Sequence, residues 1–437
     1  MNTFRPGQTV WLEIAGERCE ILALIGSGSQ GQVYHTAVNG QACALKWYFP
    51  HSSTPEQRAL VERLVHKGPP NDRFLWPLDL AVCQGMASFG YLMPLRENRF
   101  RGMAELMSRV VDPTFRTLTT MALELADSFL RLHSLGFCYS DISFGNIFFD
   151  PVTGEISICD NDNIAVDGEG ASGVLGTPRF MAPEIVRGES KANIGGDLYS
   201  LAVILFYMFM LHHPLEGRRE KEIACLDLPA MQKLYGTDPL FIFDPKHGAN
   251  RPVAGIHNNA TLFWNLYPGY VRDIFTRAFT EGLRDPGARV RESEWRTAFT
   301  RMRDQIFYCH ACGAENFLAS EGDMPGPLVD QKCWSCHEIT IPPLRLLLGR
   351  HSLVLNQDTL IYPHHLDANR RNDFSEVLAE MVPHPTRPDV WGLKNVSTQA
   401  WATVPPSGSS VEVAPGRSVS LIPGLRIRFG TVDGTVA

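Results

Sequence analysis

The sequence predicts a two-lobed α+β unit followed by a small cysteine-paired module and an all-β sandwich. Three observations carry that prediction. Over the first ninety-odd residues, short apolar runs alternate with turn residues, whereas from about residue 102 to 305 the apolar spacing is mostly helical. Two Cys-x-x-Cys pairs come next. After about residue 340, short β-like runs alternate with Pro, Gly and Asn turns. A strand-rich segment ahead of a helix-rich one is the pattern of an α+β domain. The boundaries read from these changes are 1–305 for the two-lobed unit, with a strand lobe of about 1–95 and a helical lobe of about 96–305. The cysteine module then takes 306–342 and the sandwich 343–437.

Each element has a local reason. "CEILALIGSG" (Cys19–Gly28) is a strand entering a glycine-rich turn, and "GQVYHTAV" (Gly31–Val38) is the strand leaving it. Asn39-Gly40 is a strong two-residue hairpin signal, followed by the strand "QACALKWYF". A helix starts at "STPEQRALVERLVHK", with Ser53 or Thr54 as cap and Pro55 in the first turn. "FGYLMPL" is a further strand, and "RTLTTMALELADSFLRLHSLG" is helical. The longest apolar run, "LAVILFYMFML" (Leu201–Leu211), is too short to span a bilayer and reads as a buried helix. "LRLLLGRHSLVL", "WGLKNVS" and "GRSVSLIPGLRIRFG" supply the strands of the sandwich.

Composition narrows the partners. The chain of 437 residues is 44% hydrophobic, enough for a real core, and its net charge of −7 argues against nucleic acid or an anionic membrane as main partner. The first residues, "MNTFRPGQTVWLEIAG", lack a basic-then-apolar leader pattern, so a cytoplasmic location is expected. Six cysteines are scattered singly, as reduced thiols would be.

The residues that carry chemistry begin with "GSGSQGQV", whose glycines are Gly26, Gly28 and Gly31. Such spacing lets backbone N–H groups approach phosphates closely. Because this turn joins two strands and opens no helix, it reads as a lid over a nucleotide and not as a dinucleotide-binding turn. Lys46, in "ACALKWY", then reads as the ligand of the α- and β-phosphates. A lysine at that depth needs a carboxylate, and of Glu56 and Glu62 on the following helix, Glu62 has the better spacing. Asp141 and Asn146 in "YSDISFGNIFFD", with Asp160 in "ISICDNDN", complete a set for phosphoryl transfer. Asp141 is the base or positioner of the acceptor hydroxyl, while Asn146 and Asp160 are the magnesium ligands.

On these motifs, residues 20–300 resemble the eukaryotic-type Ser/Thr protein kinase fold. "GTPRFMAPEIV" (Gly176–Val186) resembles the end of an activation segment, and "GGDLYSLAVILFYMF" the buried helix that begins with a structural aspartate, Asp197. "GLRDPGARV" resembles the motif whose arginine, Arg289, pairs with Glu184. The resemblance implies ATP and Mg²⁺ as cofactors and a protein hydroxyl as acceptor. It adds Ser27, Ser29, Val33 and Ala44 to the nucleotide site, with Met93 near the gatekeeper position and Pro94 to Arg96 as the hinge to adenine.

The chain departs from that family at three places. Tyr139-Ser140-Asp141 stands for His-Arg-Asp, Ser143 for the catalytic-loop lysine, and Asp160-Asn161-Asp162 for Asp-Phe-Gly. Loss of one charge-assisted hydrogen bond from that lysine costs about 1.5–3 kcal/mol, or roughly 10–100-fold in rate, which slows transfer without abolishing it. An active protein kinase is therefore the leading expectation. A pseudokinase scaffold that binds nucleotide and partners is the alternative, and a small-molecule phosphotransferase the third. Between Asp160 and Glu184 only Ser172 and Thr177 are hydroxyl acceptors.

The C-terminal modules add two expectations. Cys309, Cys312, Cys333 and Cys336, in "CHAC" and "CWSC", have the spacing of a closed, four-thiolate structural zinc ribbon. Residues 343–437 resemble a forkhead-associated (FHA) domain, which implies a phosphopeptide at Arg350 and Ser375. Leu378 and Gln399-Ala400 depart from that family's histidine and asparagine-glycine. The order of modules resembles the kinase of the bacterial tellurite-resistance-associated phosphorylation triad. That likeness implies a partner phosphatase and a von Willebrand-A-type protein.

Overall fold

Six antiparallel strands close into a barrel in the first hundred residues of the computed structural model, which describes residues 3–169, 177–318, 331–340, 343–384 and 386–437. They are β1 (Thr9–Leu12), β2 (Arg18–Ser27), β3 (Gly31–Val38), β4 (Gln41–Tyr48), β5 (Asp79–Val82) and β6 (Phe89–Pro94), ordered β1-β2-β3-β4-β6-β5. Strand β1 closes the barrel by pairing with β5, Trp11 opposite Val82. At the β3–β4 turn Asn39 (φ 50°) and Gly40 (φ 82°) both take the left-handed conformation that a two-residue hairpin requires. Side chains alternate along β4. Cys43, Leu45 and Trp47 enter one core cluster, whereas Ala44 and Tyr48 join a second with Val61, Tyr91 and Met93. Lys46 shares the face of Ala44 and Tyr48.

Helix α1 (Pro55–Lys67) is capped by Thr54, whose hydroxyl accepts from Gln57 N at 3.2 Å. Ser53 instead accepts from Phe89 N. After β7 (Arg101–Gly102) and α2 (Met103–Met107) the chain turns helical, with α3 (Phe115–Ser134), α4 (Pro183–Val186) and α5 (Ile194–Met210). Residues 196–210 of α5 are buried on every side, which explains its continuous apolar sequence. Short strands between α3 and α4 frame two loops. Strand β8 (Phe137–Cys138) pairs with β11 (Ala165–Val166), and β9 (Ile147–Phe149) lies between β10 (Ile156–Ile158) and β7. Arg289, only 1% exposed, bonds Glu184 at 2.7 Å, Gly195 O at 2.7 Å and Gly282 O at 3.1 Å. Among the described residues no helix is long and apolar enough to cross a membrane.

The chain divides into two compact units, Met1–Pro113 with Glu124–Ala260 and Thr276–Glu292, and Thr114–Leu123 with Thr261–Phe275 and Ser293–Ala437. The second unit thus includes the first turns of α3. Phe115 packs there against Phe263, Tyr267, Phe317 and Trp334, and the Glu315 carboxylate accepts from the Phe115 and Arg116 N–H groups. Within this unit β12 (Ile306–Tyr308) pairs with β13 (Glu315–Phe317), and β14 (Gln331–Lys332) with β15 (Ile339–Thr340). Each hairpin turn carries one Cys-x-x-Cys pair. Beyond 343 a six-stranded and a four-stranded sheet share one core, including Leu346, Leu353, Ile361, Leu393, Trp401 and Ile427.

Candidate active site

The sequence places a glycine-rich turn between β2 and β3, and the fold sets that turn over a cavity of about 650 Å³. Gly26, Ser27, Gly28, Ser29, Gly31, Val33, Ala44, Lys46, Met93, Pro94, Arg96 and Asp160 all line it. The glycines differ in role. A Cβ on Gly31 would sit 2.2 Å from Trp47 O, so close strand packing demands glycine there. A Cβ on Gly28 would meet nothing within 4 Å, so that position is left open towards a ligand. Arg96 stacks its guanidinium 3.6 Å above the Phe148 ring, which also lines the cavity. Gln30, His35, Leu75 and Cys159 line it as well, although sequence analysis gave none of them a role.

The partner of Lys46 is not Glu62. Glu62 is exposed on α1, as is Glu56, so neither side chain faces the buried ammonium. The Lys46 Nζ instead lies 2.9 Å from the Asp162 carboxylate and 3.4 Å from Asp160. Burial opposes its charge, yet these two carboxylates more than compensate and hold its pKa above the ordinary lysine value. Burial would likewise raise Asp162, but Lys46 and the phenols of Tyr48 and Tyr91 outweigh it and lower the pKa. Asp160 goes the other way. Burial, helped by the Asp162 and Asp141 charges, raises it against the pull of Lys46. Asp160 adopts a left-handed backbone (φ 51°, ψ 46°) and keeps 43% of its side chain exposed.

The loop from Tyr139 to Asn146 is held from several directions. The Asp141 carboxylate accepts from the Thr177 N–H and hydroxyl, both at 3.2 Å, and from Asn146 Nδ2 at 3.0 Å. Asn146 spends both amide protons on Asp141, since Nδ2 also donates to Asp141 O at 2.9 Å, so its side-chain oxygen remains available. The backbone N–H of Cys159 donates to Asn146 O at 2.9 Å, which sets Asn146 beside the strand leading to Asp160. Tyr139 is fully buried, and its hydroxyl donates to Cys159 O. Ser140 has φ 73°, a strained value for a residue with a Cβ, and its N–H donates to Asp197 Oδ1 at 3.1 Å. His133 lies behind Asp197, with one ring nitrogen 3.1 Å from Asp197 Oδ2 and the other on Glu292. Sequence reasoning counted Thr177 only as a hydroxyl, named Asp162 only as a departure from Asp-Phe-Gly, and did not single out His133, Tyr48 or Tyr91. Nothing local in the sequence marks His133, Tyr48 or Tyr91. Gly176 and Ser172, the other activation-segment residues named above, lie outside the described residues.

Residues 19–252 match the family description "Protein kinase domain". The chain belongs to the protein kinase family. Among curated relatives it is 30% identical over 220 residues to the DNA damage-responsive serine/threonine-protein kinase RqkA of Deinococcus radiodurans, covering 47% of this chain and 32% of the relative. Protein kinase C delta type of Mus musculus is 35% identical over 140 residues, covering 28% of this chain and 20% of the relative. The dual specificity mitogen-activated protein kinase kinase jkk-1 of Caenorhabditis elegans is 23% identical over 265 residues, with 53% and 58% covered. Each of these alignments spans less than two thirds of the relative's own length.

Two further clusters lie outside the kinase site. The four paired cysteines bring their sulfurs within 4.8 Å of one another, with Cys309–Cys336 and Cys312–Cys333 both at 3.7 Å. A disulfide would need about 2.05 Å. A tetrahedron with Zn–S bonds of about 2.3 Å has edges of about 3.8 Å, so the observed spacing fits zinc. Asn316 Nδ2 donates to Cys333 Sγ at 3.5 Å, an outer contact that orients a sulfur ligand. Asp304, His364 and His365 also lie within reach of one ion. There, however, His365 Nδ1 accepts from Tyr362 N at 3.0 Å, which leaves Nε2–H to donate to Asp304 at 3.3 Å. His364 Nδ1 donates to Asp373 O at 2.9 Å, while its buried Nε2 has no hydrogen-bond partner among the described residues. Ser375 accepts from Arg370 Nη2 at 3.2 Å, while Arg350 lines a separate cavity that His351 and His364 also line.

Proposed function

We propose that this protein transfers the γ-phosphoryl group of ATP, with Mg²⁺, to a serine or threonine hydroxyl of a protein substrate. The observation that carries the proposal is the arrangement around Asp141. Its carboxylate is held by Thr177 and Asn146 and is free to accept the proton of an incoming hydroxyl, while Lys46 and Asp160 line the nucleotide-sized cavity. Asn146 and Asp160 offer oxygen donors only, which suits Mg²⁺, and the bound ion would neutralise charge on the phosphates. Lys46 binds the α- and β-phosphates, the glycine-rich turn covers them, and Met93 to Arg96 hold adenine. Thr177 beside Asp141 supports a peptide-docking segment and disfavours a small-molecule acceptor.

The test separates base from metal ligand. Asp141→Asn abolishes transfer and leaves Mg·ATP affinity nearly intact, whereas Asp160→Ala loses transfer and Mg²⁺-dependent nucleotide binding together. The pseudokinase reading draws on Ser143, a buried hydroxyl where the family has lysine. It wins if wild-type labelling of the protein and of candidate substrates is no greater than that of Asp141→Asn.

The cysteine cluster is proposed as a structural zinc ribbon, without chemistry of its own because four protein ligands leave no open position. The sandwich is proposed as an FHA-like docking arm. Ser375 is already engaged by Arg370, which favours protein docking over phosphothreonine reading. A partner phosphatase and a von Willebrand-A-type protein are the partners that the module order suggests.

A further inference from the structure

We infer that Asp162 is the residue that positions Lys46 for nucleotide, and that α1 is relieved of that task. The inference rests on the kinase reading above and deepens it. A buried ammonium is stable only with a hydrogen-bonded counter-charge. Helix α1 supplies none, because Glu56 and Glu62 are exposed. The α1 side chain that bonds Asp162 is Gln57, which is neutral and donates to Asp162 O at 3.1 Å and to Tyr48 Oη at 3.0 Å.

Asp162 has the opposite character. Its side chain is completely buried, and it accepts from Lys46 at 2.9 Å, from the Tyr91 hydroxyl at 3.0 Å and from the Tyr48 hydroxyl. Two strands and a tyrosine on each thus aim donors at one carboxylate. It does not line the cavity, so it is neither a base nor a magnesium ligand. Asp160 does line the cavity, is 43% exposed and lies farther from Lys46, at 3.4 Å. The two carboxylates therefore divide the work. Asp162 fixes the ammonium, and Asp160 remains open to the metal.

The division has a mechanical consequence. Asp160 and Asp162 are two residues apart and meet at one short 3-10 turn, Asn161–Asn163. The anchor of the phosphate-binding lysine and the metal ligand are thus set by covalent spacing. A helix α1 that swung outward would break the Gln57 bonds to Asp162 O and Tyr48 Oη but would take no counter-charge away from Lys46. The counter-charge of Lys46 is built into this turn and does not come from α1.

The experiment compares Asp162→Asn, Glu62→Ala and the double variant Asp162→Asn/Gln57→Glu in the full chain. Mg·ATP affinity is measured by competition with a fluorescent nucleotide, transfer by labelled ATP, and folding by cooperative melting. Removing a charge-assisted bond from Lys46 lowers kcat/KM for ATP by about 10–100-fold in Asp162→Asn. Glu62→Ala leaves it unchanged. Gln57→Glu, whose side chain already reaches Tyr48 Oη, returns part of the loss, which a merely unfolded variant would not allow. Loss in Glu62→Ala with Asp162→Asn unaffected overturns the inference, as does an unaltered kcat/KM in both. Wild-type protein that binds Mg·ATP without transferring it rejects kinase activity alone, and the affinity comparison then decides on Asp162 by itself.

Discussion

Raising the pH from 6.5 to 9 should loosen the catalytic loop through one buried histidine. His133, 6% exposed, presents Nε2 to Asp197 at 3.1 Å and Nδ1 to Glu292. Both ring nitrogens must carry protons to satisfy both carboxylates, so the folded protein holds an imidazolium. Burial alone would lower its pKa, but the bonds and charges of Asp197 and Glu292 prevail and raise it from 6.5 to about 9. A folded pKa above the unfolded one means that the stabilisation is fully present below pH 6.5 and is lost as pH rises through 9. That gap corresponds to roughly 3 kcal/mol. The cost falls at the site, because Asp197 also accepts from the Tyr139 and Ser140 N–H groups immediately before Asp141.

The assay is urea unfolding of wild type and His133→Gln across that window. Subtracting the two curves removes every other titrating group. The wild-type advantage should be largest near pH 6.5 and shrink by about 3 kcal/mol towards pH 9, because Gln cannot carry the charge. Curves that run parallel across the window would refute the argument, since they would mean that His133 binds its proton no more tightly in the folded state.

Arg289→Ala should destabilise the protein by about 3–5 kcal/mol, because it strands the Glu184 carboxylate and two backbone carbonyls. A melting curve like that of wild type would sink the pairing. Reduced, folded protein should carry one zinc per chain by metal analysis, and Cys312→Ser should fall well below one while nucleotide binding persists. Zinc-free protein with an unchanged fold would remove the ribbon.

The sequence is legible where chemistry depends on local order. Asn39-Gly40 forms its hairpin because both residues tolerate positive φ, and the turn between β2 and β3 covers a cavity because its open glycines admit a ligand. Lys46 reads as a phosphate ligand from its place after the glycine-rich turn and the hairpin. What could not be read is who meets whom across the fold. Glu62 had suitable spacing on a helix, but spacing gives no azimuth, and the face of α1 turned inward carries Gln57. Asp162 read only as a departure from Asp-Phe-Gly, and its role depends on Tyr48 and Tyr91, from strands far earlier in the chain, which converge on it. Closure of the barrel by β1 against β5 and the meeting of His133 with Glu292 are likewise long-range pairings that no motif encodes.

The departures from the family pattern make sense together when followed by charge. No basic residue flanks Asp141 in the chain, so nothing beside it can read a phosphate on the activation segment. The order such a cation would confer comes from elsewhere. Tyr139 ties the loop to Cys159 O, Thr177 holds the Asp141 carboxylate with a neutral hydroxyl, and the cation is His133, buried behind Asp197. On the nucleotide side the counter-charge for Lys46 has likewise moved from a helix surface to the buried turn at Asp162. In both places the charge lies buried among its partners. A site wired in this way is set by folding.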